Sequence, residues 1–125
     1  MTGLTLDTGA LIALERRDRR ALAFIEAAQR DDVTVTVPSP VVAEWWRGQR
    51  GSAAALLHAF DIERTSLEVA RAAGEALAQV GHGPSVVDAI VVASAASRGD
   101  RVLTGDVRDL ERLGAYFPGV RLLRV

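Results

Sequence analysis

The stretch LTLDTGALIAL, residues 4–14, decides the fold. Leu4, Thr5 and Leu6 make a short apolar run of the kind that forms a buried strand. Asp7-Thr8-Gly9 interrupts it, and Leu11, Ile12 and Leu14 then recur at helical spacing. A strand therefore ends on a carboxylate that opens a helix. In open α/β sheets ligands bind beyond the carboxyl ends of the strands, which puts Asp7 where chemistry is usually done. Aspartate and threonine are also ordinary helix caps, and from this stretch alone the cap is the stronger reading of Asp7.

Working outward, strand-like and helix-like segments alternate to the end of the chain. The charged turn ERRDRR (15–20) leads into a helix over residues 21–30, with Leu22, Phe24, Ile25 and Ala28 on one face, and VTVTV (33–37) then alternates as a strand. Ser39 and Pro40 are a suitable N-cap and first-turn pair for a helix running to about residue 50. Residues 53–59 continue as helix after a break at Gly51, and residues 60–64 read as a short extended piece. Thr65-Ser66-Leu67-Glu68 has capping-box spacing and opens a helix to Val80, stopped by Gly81-His82-Gly83-Pro84. The most apolar helix covers residues 86–97, Arg98-Gly99-Asp100 turns the chain, and residues 102–104 are a strand closed by Gly105-Asp106. A short helix (107–113), a turn at residues 117–119 and a last strand (120–125) finish the chain. Strands separated by helices pair in parallel through right-handed crossovers. The expected fold is a single domain over residues 1–125, a three-layer α/β/α sandwich with a central parallel sheet of four or five strands.

Composition narrows the function. With 125 residues and no cysteine there is no disulfide framework, thiolate nucleophile or cysteine-bound metal, in keeping with a reducing cytoplasm. A net charge of -1 argues against a generally basic nucleic-acid surface. The apolar runs are broken by Asp7 and Asp88 and fall short of a membrane span, so a soluble protein is expected. Hydrophobic residues at 49% and a mean hydropathy of +0.15 are rich for a small soluble domain and imply a partner over part of the surface. All 15 basic residues are arginine, a side chain suited to bidentate phosphate contact.

Several acids stand out of place. Glu44 lies in VVAEWW and Asp88 in VVDAIVVA, each the lone charge among apolar neighbours, and such a carboxylate is costly unless paired, hydrogen-bonded or bound to metal. Each has a plainer reading. Ser85 and Asp88 have capping-box spacing, Asp106 and Asp109 could cap the helix that follows them, and Glu44 could pair with Arg47. Together they say more. Asp7 and Asp106 follow apolar strands, Glu44 and Asp88 open helices, and in a parallel sheet all four belong to one edge. Four carboxylates crowd together ionised only around a cation. Oxygen donors without cysteine or a suitably placed histidine select Mg²⁺ or Mn²⁺, ions used with acidic clusters to hydrolyse phosphodiesters.

The segments LDTGALIAL, VVAEWWRG, SVVDAIVVASA and VLTGDVRDL, in this order and spacing, resemble the PIN-domain ribonucleases, in particular the VapC-type toxins of bacterial toxin–antitoxin pairs. The resemblance covers essentially the whole chain. It implies Mg²⁺- or Mn²⁺-dependent cleavage of RNA, a homodimer, and neutralisation by a cognate antitoxin. By motif position Asp7, Glu44, Asp88 and Asp106 are the metal-binding acids and Thr104 supports them through its hydroxyl. Asp109 matches a less constant further acid, and Ser85 stands where many relatives carry another polar or acidic ligand.

Arg16, Arg17, Arg19 and Arg20 form a basic turn that could hold RNA phosphates or simply be solvated. Trp45 and Trp46 are adjacent on a helix, so one belongs to the core and the other is a candidate for contact with a dimer mate or antitoxin. His58 and His82 have no motif around them. Leu6-Asp7-Thr8-Gly9-Ala10 also matches the active-site motif of retroviral-type aspartic proteases, a nearly all-β fold at odds with this helix-rich pattern. A PIN-like domain that binds RNA or a partner without cutting is the other alternative.

Overall fold

Strand β1 (Leu4–Leu6) is fully buried and forms the centre of the sheet in a computed structural model that describes residues 2–47 and 51–125. It pairs in parallel with β2 (Val35–Pro38) through Leu4–Val35 and Thr5–Thr36, and with β4 (Arg101–Thr104) through Leu4–Arg101 and Leu6–Leu103. β3 (Asp61–Glu63) extends the sheet beyond β2, and β5 (Leu122–Arg124) extends it beyond β4. All four pairings are parallel, giving the order β3-β2-β1-β4-β5. The expected three-layer sandwich is therefore present, with five strands.

Helices fill the connections. α1 (Thr8–Glu15) and α2 (Arg19–Arg30) join β1 to β2, while α3 (Ser39–Trp45) and a 3-10 helix (Gly51–Ala59) join β2 to β3. α4 (Leu67–Val80) and α5 (Val86–Arg98) then carry the chain from β3 to the other side of β1, and α6 (Val107–Leu113) precedes β5. The strand order thus reverses between β1 and β4. That switch point leaves a crevice at the carboxyl ends of these two strands, the usual ligand position in such sheets.

The core follows the apolar pattern, with Leu4, Leu6, Leu11, Val37, Val91, Val92, Val102 and Leu103 at 1% exposure or less. Fully burying an aliphatic side chain of this size stabilises by about 1.5–3 kcal/mol. The local differences from expectation have local causes. β2 starts at Val35 because the Val33 N–H is spent on the Ala28 carbonyl in closing α2. Ser39 is the first residue of α3 rather than its cap, and no side chain caps that helix. α3 ends at Trp45, and the predicted continuation to residue 50 falls partly outside the described residues. α4 is capped by Ser66, which accepts from the Val69 N–H, one residue later than the expected Thr65 box. The Thr65 hydroxyl is buried without a partner among the described residues.

A polar knot gathers around the C-terminus of α5. Arg98, the last residue of α5, donates to Asp100 Oδ2 at 3.0 Å, Thr5 Oγ1 at 2.8 Å, Ser94 Oγ at 2.9 Å and the Glu63 carboxylate. Thr5 in turn donates to Asp100 Oδ2 at 2.9 Å and Ser94 to Glu63 Oε1. One guanidinium thus ties β1, β3, α5 and the entry to β4. The segment Arg98-Gly99-Asp100, read from sequence as a plain turn, is half of this knot.

Candidate active site

Asp7 stands immediately beyond β1 and is 6% exposed. Its Oδ1 accepts the Ala10 N–H at 2.8 Å, as a helix cap should, and the Gly105 N–H at 3.4 Å. Oδ2 accepts the Thr104 hydroxyl at 2.5 Å. Asp7 is therefore a cap, and it also bridges the ends of β1 and β4 across the switch point. Thr104 is fully buried and relays the contact, since its Oγ1 accepts the Asp106 N–H at 2.9 Å.

Two glycines make this approach possible. A Cβ on Gly9 would lie 2.8 Å from the Gly105 Cα, and a Cβ on Gly105 would lie 3.0 Å from the Gly9 Cα. These are backbone atoms with no torsion to yield. From the sequence both read only as strand breaks, although a glycine within three places of the end of each of two paired strands was the available signal. Gly105→Ala is expected to push the β4 loop away from α1 and to lower metal affinity about tenfold, the lower end for loss of a residue that orients ligands; titration calorimetry with Mn²⁺ checks this.

Asp88 occupies the third position of α5. Its backbone N–H donates to Ser85 Oγ at 3.0 Å and its Oδ2 accepts the Ser85 N–H at 2.9 Å, the full capping box that the spacing allowed. Glu44, on α3, accepts the Thr8 hydroxyl of α1; this contact, rather than the anticipated pair with Arg47, fixes it. Asp106 is exposed at the N-cap position of α6 without a capping bond from its side chain, whereas Asp109 lies one turn further on and is half-buried.

The electrostatics join these acids. Burial pushes the Asp7 carboxyl above the usual aspartate range, the bonds from Thr104, Ala10 and Gly105 pull it back, and the charge of Asp88 raises it again. Burial likewise raises Asp88, the Ser85 bonds oppose this, and Asp109 and then Glu44 add to the rise. Asp7, Asp88, Glu44 and Asp109 thus share one field. Asp106, one of the principal acids in the sequence reading, stands exposed at the start of α6.

The donor chemistry suits a hard divalent cation, because every acidic group in the crevice is a carboxylate and the chain has no cysteine. As the side chains stand, no group of three or more His, Cys, Asp or Glu among the described residues is placed to hold one ion. The remaining residues of interest lie apart. Arg16, Arg17, Arg19 and Arg20 are exposed at the far end of α1, which at 1.5 Å per residue is about 12 Å of helix from Asp7. Arg17 adopts a left-handed φ of 58° and Arg20 lies over the Phe24 ring. Trp45 is buried, with its indole N–H donating to Glu15, and Trp46 is 43% exposed against its edge. His58 and His82 are both exposed.

The sequence pattern of the PIN domain matches residues 4–116. The chain belongs to the PIN-domain family. Solved structures share the fold of this PIN domain at low identity. It is similar to a chain of VapBC2 from Rickettsia felis bound to a DNA fragment from their promoter, at 17% identity and a TM-score of 0.77, with 98% of each chain covered. It is similar also to a chain of DNA-bound VapBC from Salmonella typhimurium (19% identity, TM-score 0.76, 99% of this chain and 98% of that one). A toxin–antitoxin complex from Klebsiella pneumoniae matches at 21% identity and a TM-score of 0.75, over 98% of this chain and all (100%) of that one. No curated protein matches the PIN domain described here. No described helix of it is long and apolar enough to cross a membrane.

Proposed function

We propose that this PIN domain is a divalent-metal-dependent endoribonuclease and the toxin of a type II toxin–antitoxin pair, acting in the cytoplasm. The observation that carries the reading is the field shared by Asp7, Asp88, Glu44 and Asp109 at the β1/β4 crevice, a crowding of like charge that a cation relieves. Asp7, Glu44 and Asp88 would hold Mg²⁺ or Mn²⁺, with Asp109 and Asp106 at the α6 side. Such an ion, when bound, acidifies water and offsets the charge that builds on a phosphodiester under attack. Asp7 is the fixed member, its orientation set by the Ala10 and Gly105 N–H groups and by Thr104, while Glu44 and Asp88 reach in from helix ends. Hydrogen bonds from Thr8 to Glu44 and from Ser85 to Asp88 orient these two carboxylates.

Partners follow from the surface. Trp46, Ile62, Leu67, Val86 and Tyr116 are apolar or aromatic and exposed at 43–63%, side chains available to a partner. We assign part of this surface to the cognate antitoxin, a partner that the toxin–antitoxin complexes among the solved relatives support, and part to a homodimer.

The test is cleavage of a total RNA pool by purified protein free of antitoxin, with Mg²⁺, with Mn²⁺ and with EDTA. Discrete fragments that require metal are expected, and their ends identify the substrate. The spread of the acids favours one second reading, a silent RNA- or partner-binding module. No cleavage with either ion, by protein shown to be folded, selects that reading. The two α6 acids separate within the same assay. Asp109→Asn is expected to lower the cleavage rate about tenfold or more and Asp106→Asn less, because Asp109 is half-buried and its charge raises Asp88, whereas Asp106 is exposed. A larger loss with Asp106→Asn reverses the assignment.

A further inference from the structure

We infer that Arg112 is a positioning residue that holds the α5 and α6 acids in register by clamping the turn ahead of α5 onto α6. The inference rests on the proposed reading of the acid site, and the clamp itself stands on separate contacts. Arg112 projects from the last turn of α6. Its Nη2 donates to the Val80 carbonyl at 3.1 Å and its Nη1 to the His82 carbonyl. Val80 ends α4, so its carbonyl is one of those a helix leaves without an internal partner, and a guanidinium there also meets the negative end of the helix dipole.

The turn is shaped to receive this arginine. Gly81 and Gly83 have φ of 78° and 120°, values open to glycine, and a Cβ on Gly83 would overlap Arg112 Nη1 and lie 3.7 Å from Asp109 Oδ1. The guanidinium is packed against a backbone that has no side chain at that point. Two residues further on, Ser85 caps α5 and binds Asp88 twice. Asp109 is on the same helix as Arg112, three residues before it. A short covalent path therefore runs from the clamp to both acids. Without the clamp the turn loses its hydrogen bonds to α6, and the distance between Asp88 and Asp109 loosens.

The experiment compares Arg112→Ala, Arg112→Lys and Gly83→Ala with Arg108→Ala, an exposed arginine of the same helix. Amide hydrogen exchange in the metal-free protein reads the Asp88 and Ala89 N–H groups, which bond to Ser85. Titration calorimetry reads Mn²⁺ affinity, and steady-state cleavage separates kcat from KM. Arg112→Ala and Gly83→Ala are expected to speed those amides and to weaken Mn²⁺ binding about tenfold, the effect of losing a residue that orients ligands, with kcat lowered and KM for RNA unchanged. Arg112→Lys, which keeps one donor, should recover part of the loss, and Arg108→Ala should leave the amides alone. Unchanged exchange in Arg112→Ala overturns the clamp, as does a raised KM with a shallower salt dependence, the mark of an arginine that simply binds RNA phosphate. If the wild type binds no Mn²⁺ and cuts nothing while the amides still respond, the clamp stands and the nuclease reading falls.

Discussion

Asp7→Asn is expected to abolish cleavage and, without metal, to melt at a higher temperature than the wild type. The two effects have one source. Burial dominates the environment of Asp7 and holds its carboxyl above the usual range even after Thr104, Ala10 and Gly105 have donated to it, so ionising the group at neutral pH costs the folded protein stability. For a carboxyl raised on folding, the favourable contribution is present below its ordinary value near 3.8 and is lost as pH rises through the higher folded value. The gap between variant and wild type should open over that interval and persist to pH 7. Asparagine keeps an oxygen for the Ala10 N–H and places an amide against Thr104 Oγ1, so the bridge between β1 and β4 survives without the charge.

Activity and metal should move the other way. Partners that only orient a ligand are worth about 10–100-fold in affinity or rate, so loss of the most buried ligand should exceed a hundredfold. With Mn²⁺ at about a hundred times its dissociation constant the wild type should gain about 2.7 kcal/mol, and the variant little. Melting curves of both proteins at pH 5 and pH 7, with and without Mn²⁺, read all of this. A variant that melts lower without metal, or that keeps the metal-induced rise, sinks the placement of Asp7 at the centre of the site.

The strand-to-helix junction at Asp7 was legible because its signals are local: an apolar triplet, a capping residue and helical spacing within eleven letters. The same holds for Ser85 and Asp88, whose box is written in four residues, and for the parallel order, which follows from alternation alone. Local reading failed where the deciding contact is remote. Glu44 was offered Arg47, three residues away, when its partner is Thr8 on another helix. Gly9 and Gly105 constrain each other across 96 positions, a relation visible only once β1 and β4 are paired. The Arg98 knot left no trace either, because Arg98 and Asp100 beside a glycine look like any polar turn.

That knot should set the stability of the fold. Arg98 faces two carboxylates, Asp100 with 6% of its side chain exposed and Glu63 with 28%, and is itself 25% exposed. Replacing it with methionine keeps the aliphatic stem and leaves both carboxylates, Thr5 and Ser94 short of a donor. Breaking a buried ion pair by removing one partner typically costs 3–5 kcal/mol, and partial exposure puts this case near 3 kcal/mol, or about 10 °C in melting temperature for a chain of this length. Removing a charge on the other side should compensate. Arg98→Met with Asp100→Asn should be destabilised by less than the sum of the two single changes, since the asparagine no longer needs the cation. Because the knot's hydrogen bonds involve none of Asp7, Glu44, Asp88 and Asp109, any of these variants still folded at 25 °C should cleave at the wild-type rate per folded molecule. Urea titration of the two single variants and the double one checks the first point, and cleavage corrected for the folded fraction checks the second. Strict additivity would mean that Arg98 and Asp100 act independently in spite of their 3.0 Å contact, and a loss of rate in folded protein would mean that the knot and the acid site are coupled.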